Sequence, residues 1–114
     1  MPDVRIPLVF FSTESGTEPV RDWLKALPEP DRRIVGQDLM RVQWRWPVGM
    51  PLCRNLSKGL WEVRSSLPNN RIARVIFCAQ NGELVALHGF IKKSQKTTPG
   101  DLDLAVKRQK ELDA

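Results

Sequence analysis

An α+β domain built around one antiparallel sheet is the fold class that the sequence predicts. Two segments in the first half repeat apolar residues with helical spacing. Four short apolar runs separated by turn residues follow them, and an amphipathic segment comes last. At 114 residues the chain has the size of one domain, so we expect a single domain over 1–114 with its helices packed on one sheet face.

A strand and a helical hairpin are predicted for the first fifty residues. Residues 4–11 place apolar side chains at every second position, as a strand does. Residues 17–27 place apolar side chains at i, i+3, i+4 and i+7 behind a threonine that can cap a helix. Asp31 can cap a second helix that reaches Trp46, and the prolines between the two segments indicate a short connection.

A meander of antiparallel strands is predicted for the second half. The four runs lie at residues 52–56, 60–66, 71–80 and 83–91. Asn81-Gly82 separates the last two runs, and this dipeptide is a strong signal for a two-residue hairpin turn. Pro99 and Asp101 begin the last helix. The predicted order is therefore a strand, two helices, a meander and a helix.

The positive charge is concentrated in the meander and the segment after it. The net charge is +5, yet residues 1–50 carry seven basic and seven acidic side chains. Residues 54–98 carry eight basic and only two acidic side chains. A one-sided excess of this kind attracts polyanions such as RNA, DNA or acidic proteins. A solvated basic surface kept for solubility would give the same distribution of charge.

Several function classes are excluded by what the sequence lacks. Cys53 and Cys78 are too few for a disulfide framework and lack the spacing of a zinc site, so we expect reduced, partly buried thiols. With one histidine, no metal site is expected, and the chain has no nucleotide-binding or hydrolase motif that would imply a cofactor. It also shows no signal-peptide layout and no run of about 20 apolar residues, so we expect a cytoplasmic protein without membrane association.

Charged residues within the apolar strands are the first candidates for a site. Alternation places Arg64 on the face of Leu60 and Glu62, whereas Arg74 shares a face with Ile72, Ile76 and Cys78. Burying an arginine alone costs several kcal/mol, so each must pair, reach an edge or meet a ligand. Arg64 could equally form a structural pair with Glu62 or Glu83, and His88 could be a catalytic acid or base or a structural histidine.

The segment His88–Pro99 runs from a strand end into a polar, basic loop. Its lysines, threonines, serine and glutamine could contact phosphates, although a flexible surface loop would have a similar composition. Trp44 and Trp46 flank Arg45, and aromatic rings beside arginine can stack on bases. In most proteins such tryptophans belong to the core.

Three motifs resemble those of the phage-derived Gp49-like proteins, the HigB branch of the RelE/ParE toxin superfamily. They read LWEVR at 60–64, RIARVIF at 71–77 and LHGFIKKSQKTTP at 87–99. The resemblance implies a RelE-like fold in the order β-α-α-β-β-β-α, with an antiparallel sheet, an N-terminal helical hairpin and a C-terminal helix.

The resemblance also implies a function and partners. Similar toxins cleave mRNA, usually on the translating ribosome, and so arrest growth. A helix-turn-helix antitoxin neutralises them, and operator DNA is bound only through that antitoxin. The matching catalytic positions are Arg64, Arg74, His88, Lys92 and Lys93. The expected RNA contacts are Arg54, Lys58, Arg71, Gln95, Lys96 and Thr97.

The expected chemistry is attack of an RNA 2′-hydroxyl on the adjacent phosphorus. Arg64 and Arg74 suit the phosphate because a guanidinium offers paired donors. A lysine, His88 or Glu62 could serve as the base. Two alternatives stay open, a non-catalytic ParE-like inhibitor of DNA gyrase and a decayed phage protein that only binds nucleic acid or antitoxin.

Overall fold

A computed structural model describes residues 5–93 and 96–112, which form one sheet and three helices in an α+β fold. The elements, in chain order, are β1 (Leu8–Phe10), α1 (Pro19–Ala26), α2 (Glu29–Arg45), β2 (Cys53–Asn55), β3 (Leu60–Leu67), β4 (Arg71–Gln80), β5 (Glu83–Lys92) and α3 (Pro99–Leu112). The predicted helical hairpin, the strands of the meander and the last helix are all present. The order β-α-α-β-β-β-α that the resemblance implies has one strand fewer than the structure, whereas the short β2 lies within the run at residues 52–56 that the sequence pattern predicts.

The sheet is mixed, so the expectation of a wholly antiparallel sheet is wrong at one edge. Its spatial order is β1-β5-β4-β3-β2, and the neighbours from β5 to β2 are antiparallel. The first strand lies parallel to β5, pairing Leu8 with Leu84. A parallel pair needs a long connection, and the chain between β1 and β5 contains the helical hairpin and strands β2 to β4.

Turn residues fix the hairpins of the meander. Asn81 and Gly82 both have positive φ angles, of 52° and 77°. This conformation is that of a two-residue type I′ turn, which the Asn-Gly pair predicted. It sets the long β4–β5 register, in which Gln80 pairs with Glu83.

Two apolar cores lie on opposite faces of the sheet, and we call them the hairpin face and the α3 face. On the hairpin face, Val35 and Leu39 of α2 pack with Val63, Val75 and Phe77 of the sheet. Because strand side chains alternate, the residues between these point to the other face, where they form a second core with α3. That core contains Leu60, Ile76, Leu87 and Ala105. The helices therefore cover both faces, and the expectation that they pack on one face is wrong.

A bulge in β5 changes which side chains reach the α3 face. Ile76 pairs with His88, whereas the next residue, Phe77, pairs with Ala86. Leu87 is the extra residue, so Leu87 and His88 both lie on the α3 face. If β5 had no bulge, the alternation of its side chains, counted from the β4–β5 turn, would place His88 on the hairpin face.

No helix in the described part of the chain has the length and apolar character that crossing a bilayer requires.

Cys53 and Cys78 are buried thiols, one in each core. Burial, with the nearby Asp38 carboxylate, raises the pKa of Cys53 to about 11, so this thiol is inert at neutral pH. Both cysteines are free, and both are more deeply buried than expected.

The close approach of α1 to β5 requires a glycine. A Cβ placed on Gly89 would lie 2.5 Å from Cε3 of Trp23. We expect Gly89→Ala to lower the free energy of unfolding by about 1–3 kcal/mol, since the aromatic ring must shift within a packed core. Urea unfolding followed by tryptophan fluorescence measures this loss.

Gly36→Ala in α2 is the matched control, because nothing lies within 4 Å of its added methyl group. It should be neutral or stabilise the protein by up to about 1 kcal/mol, as alanine does in a helix. Equal stability of the two variants would contradict the packing described for Gly89.

Candidate functional site

Charged side chains from three neighbouring strands meet on the α3 face. The register aligns Arg64 of β3 with Arg74 of β4, and Arg74 with Phe90 of β5. His88 and Lys92 flank Phe90 on the same face. The sheet thus brings together residues that are separated by up to 28 positions in the chain.

A buried carboxylate lies at the centre of the first cluster, which we call the Glu62 cluster. The side chain of Glu62 is fully buried, and its Oε1 lies 3.6 Å from Nε of Arg74 and 3.9 Å from Nε of Arg64. The Thr97 hydroxyl donates a hydrogen bond to the other oxygen, Oε2. One carboxylate therefore lies within ion-pair distance of two strand arginines and accepts a hydrogen bond from the end of the polar loop.

The two arginines of this cluster differ in their access to solvent. Arg74 is fully buried, and burial lowers the pKa of its guanidinium while Glu62 opposes that effect. Its Cζ also lies 5.9 Å from the centre of the Phe90 ring, within the range of a cation–π contact. The side chain of Arg64 is 14% exposed, so in this conformation Arg64, and not Arg74, can reach a phosphate.

A second carboxylate organises the neighbouring group, which we call the Asp101 cluster. Asp101 Oδ1 lies 2.7 Å from His88 Nε2, and its Oδ2 accepts a hydrogen bond of 2.7 Å from Lys92 Nζ. Thr98 bonds to the same Oδ2 and accepts from the Asp101 backbone N–H, as a residue capping α3 would. The start of α3 is thereby tied to two side chains of β5.

Phe90 connects the two clusters. Its ring stacks on the His88 imidazole with centroids 5.2 Å apart, and the Lys92 ammonium lies 5.4 Å from its centre. Together with the Arg74 contact, these interactions place three cationic or imidazole groups around one buried ring. Groups of both clusters therefore share contacts with one ring.

Asp101 stays ionised over the whole physiological pH range. Its partial burial raises the pKa, but hydrogen bonds from Lys92, Thr98 and His88 outweigh that effect and lower it to about 2. An ionised carboxylate only accepts hydrogen bonds, so His88 Nε2 must carry a proton in the contact with Asp101. In a neutral imidazole, Nδ1 is then the nitrogen able to take up a proton.

Most of the predicted site residues lie on or beside this face. Arg64, Arg74, His88 and Lys92 are within the two clusters, and Thr97 joins the first. Arg54 and Lys96 line a small groove beside Thr97. Lys93 is exposed directly after β5, and Gln95 lies outside the described residues.

Two predicted RNA contacts lie elsewhere. Arg71 is on the hairpin face, where its guanidinium makes two hydrogen bonds, of 2.8 and 3.1 Å, to the buried Asp31 carboxylate. This ion pair joins β4 to α2 and raises the pKa of Arg71. Asp31 therefore serves this pair instead of capping α2. Lys58 lies in the β2–β3 turn, where its carbonyl accepts a bond from Gln109.

Sequence reasoning missed the two carboxylates as organising groups. Glu62 was considered as a base, but its complete burial points to a positioning role. The sequence pattern marks Asp101 only as the start of a helix and Thr98 only as a polar residue of the loop. The spacing Thr98-x-x-Asp101 is that of a capping box, and it could have indicated that both side chains are held at a helix start.

The described residues hold no group of three histidine, cysteine, aspartate or glutamate side chains that could bind a metal ion. The chemistry that the site itself offers is ionic and acid–base. It combines guanidinium and ammonium groups for an anion with one oriented imidazole.

Asp101 should make stability depend on pH in the acid range. Because its pKa is depressed in the folded state, its contribution is present above the unfolded pKa near 4 and is lost as the pH falls toward 2. We expect wild type to lose about 2 kcal/mol more than Asp101→Asn across this interval. Urea unfolding at a series of pH values measures the difference.

Asp103→Asn is the matched control, since Asp103 is an exposed residue of the same helix. Its stability should follow that of the wild type at every pH. If the unfolding free energies of wild type and Asp101→Asn changed in parallel with pH, the Asp101 contacts would not contribute to the pH dependence of stability.

Comparison with known families agrees with the motifs on these strands. The model of the family described as phage-derived protein Gp49-like (DUF891) matches residues 22–110, which include both clusters. The chain matches no curated protein. Since the match spans well over half of its length, this chain belongs to the phage-derived Gp49-like family, a family of RelE/HigB-like toxins.

Proposed function

We propose that this protein is the toxin of a toxin–antitoxin pair and that it arrests growth by cleaving mRNA. The observation that carries the proposal is the α3 face, where an oriented histidine lies beside a partly exposed arginine and a lysine. Family membership supports a toxin, and the cationic face supports an RNA substrate.

The proposed reaction is attack of the 2′-oxygen of a ribose on the adjacent phosphorus. The new O2′–P bond forms as the P–O5′ bond breaks, leaving a 2′,3′-cyclic phosphate and a 5′-hydroxyl. The phosphorane that forms between them carries extra negative charge. A site for this reaction needs cations at the phosphate and a base at the 2′-hydroxyl.

Arg64 and Lys92 are the groups suited to the phosphate. The Nε of Arg64 lies 3.9 Å from Glu62 Oε1, and its side chain is partly exposed, so its planar guanidinium can offer paired donors to a phosphate at this face. Lys92 is about one-third exposed and is fixed by Asp101 and Thr98. Positive charge held in place before the reaction stabilises the transition state without the cost of reorganisation.

His88 is the group suited to the 2′-hydroxyl. Asp101 fixes its Nε2 proton and so presents Nδ1 as the acceptor, in the way a carboxylate orients imidazole in other acid–base sites. The 2′-hydroxyl proton passes to Nδ1, and the leaving 5′-oxygen takes a proton from solvent. Glu62 cannot serve as the base because it is fully buried and already accepts from Thr97.

Arg74 acts in this proposal as a positioning residue. It is buried behind Arg64 and contacts both Glu62 and Phe90, so it sets where these side chains lie. Lys93, Lys96 and Arg54 extend the positive surface around the site and contribute to RNA attraction. This attraction is independent of base sequence.

The partners follow from the same proposal. A surface that positions the RNA against the few exposed groups of the site, such as the ribosome, would complete it. The fold is in this view RelE-like, and the partner that silences the toxin is a helix-turn-helix antitoxin. Operator DNA is contacted only through that antitoxin, and the toxin acts in the cytoplasm.

Controlled expression followed by mapping of RNA ends tests the proposal. Wild type should arrest growth and produce mRNA fragments with 2′,3′-cyclic phosphate ends. Arg64→Gln should lower the cleavage rate by about 10²–10³-fold, as the loss of one transition-state donor does. His88→Gln should lower it by about 10²–10⁴-fold. Arg33→Gln is the control for both, because Arg33 is an exposed residue of α2 that pairs only with Glu29 among the described residues.

Each alternative gives a distinct outcome in this experiment. Growth arrest with DNA damage and intact mRNA would indicate a gyrase inhibitor, and normal growth would indicate a decayed protein. Full cleavage by Arg64→Gln would refute the assignment of this face. Full cleavage by His88→Gln alone would place His88 among the structural residues.

A further inference from the structure

A second basic groove lies beside the end of β3 and borders the Glu62 cluster. It has a volume of about 780 Å³ and is formed between α2, the loop before β2 and the end of β3. Its charged walls are Arg41 and Arg45 of α2 and Arg64 of β3, against the single carboxylate of Asp38. Its net charge is therefore positive.

Helical spacing aligns the groove side chains of α2. Gln37, Arg41 and Arg45 follow each other at intervals of four residues, so they form one stripe along the helix. Arg41 is 54% exposed and uses one guanidinium nitrogen to bond Asp38, at 2.6 Å. Arg45 is exposed and forms no ion pair with any residue of 5–93 or 96–112.

Arg64 belongs to both the groove and the candidate site. Its guanidinium lies beside Glu62 on the α3 face, and the same side chain lines the groove. The groove is thus the direct continuation of the cationic face past the edge of the sheet. A polyanion bound at Arg64 would meet Arg41 and Arg45 next.

We propose that this groove binds the phosphodiester backbone of the RNA strand beyond the bond that is cleaved. The proposal rests on the RNA-cleaving function proposed above and adds a second phosphate subsite to it. Guanidinium groups bind phosphate oxygens with paired donors, and two exposed arginines four residues apart offer two such contacts. Contacts of this kind set the register of a strand without reading its sequence.

The lining favours RNA over an acidic protein segment. A protein segment that docks stably needs buried apolar anchors, and most of the exposed lining of this groove is polar. The apolar side chains of the lining are Ile34 of α2 and those of the loop before β2, where Met50 is 61% exposed. The groove is also continuous with the candidate site through Arg64, and a substrate strand that extends from that site would use this continuity.

Binding of RNA oligonucleotides of increasing length tests the subsite. The RNA carries 2′-O-methyl groups, which prevent cleavage, and affinity is measured by fluorescence anisotropy at several salt concentrations. We expect Arg45→Gln and Arg41→Gln/Arg45→Gln to bind long oligonucleotides several-fold more weakly than wild type. The slope of log K against log salt should fall by about 0.7 for each arginine lost. The shortest oligonucleotides should bind all proteins alike.

Arg33→Gln is the matched control, since it removes the same charge from an exposed position of the same helix. It should change neither the affinity nor the length dependence. Arg45→Gln breaks no ion pair of the described residues, so thermal unfolding should show an unchanged Tm.

The remaining outcomes overturn the proposal in distinguishable ways. If wild type binds RNA and the groove variants bind it equally well at every length, the subsite is wrong and the proposed function stands. If the variants lose affinity equally for oligonucleotides of all lengths, the arginines contribute only general electrostatic attraction, and the groove is not a separate phosphate subsite. If an oligoglutamate peptide binds Arg45→Gln more weakly than Arg33→Gln, and RNA binds both variants with equal affinity, the groove is a protein-docking surface. If wild type binds no RNA, both proposals fail together.

Discussion

The burial of Glu62 and Arg74 between the sheet and α3 is the constraint on which the rest of this face depends. Neither side chain is exposed, and an isolated charge at such a depth would cost several kcal/mol. The pair therefore needs further partners, and these come from Arg64 on the neighbouring strand, the ring of Phe90 and the hydroxyl of Thr97. These contacts link the buried pair to the partly exposed Arg64 and to the end of the polar loop.

A second carboxylate extends the same principle to the start of α3. Asp101 holds a lysine and the histidine of β5, and the β5 bulge is what turns that histidine toward the helix. Both carboxylates act on their neighbours and neither is placed to act on a substrate. The groups with access to solvent, Arg64, His88 and Lys92, are accordingly pre-positioned, which is the condition for electrostatic stabilisation of a transition state.

The sequence predicted the elements better than their arrangement. Alternation assigned Arg64 and Arg74 to the correct faces, and the Asn-Gly pair predicted the β4–β5 turn, because both signals are local. The parallel pairing of β1 and the placement of α3 on the second face depend on contacts between distant segments, which carry no local signal. The charge count likewise assigned the basic character to residues 54–98. The fold brings Arg41 and Arg45, from the half with no net charge, beside Arg64.

A double-mutant cycle on Glu62 and Arg74 tests the central claim most directly. Glu62→Gln leaves two arginines without their carboxylate and should cost about 3–5 kcal/mol of unfolding free energy, and Arg74→Met should also destabilise the protein. The double variant, which buries no charge at this position, should recover part of the loss, giving an interaction free energy of about 1–3 kcal/mol. RNA cleavage should nevertheless stay impaired in the double variant, since Arg64 has lost the carboxylate that holds it. Strictly additive losses of stability, or full cleavage by the double variant, would contradict the account.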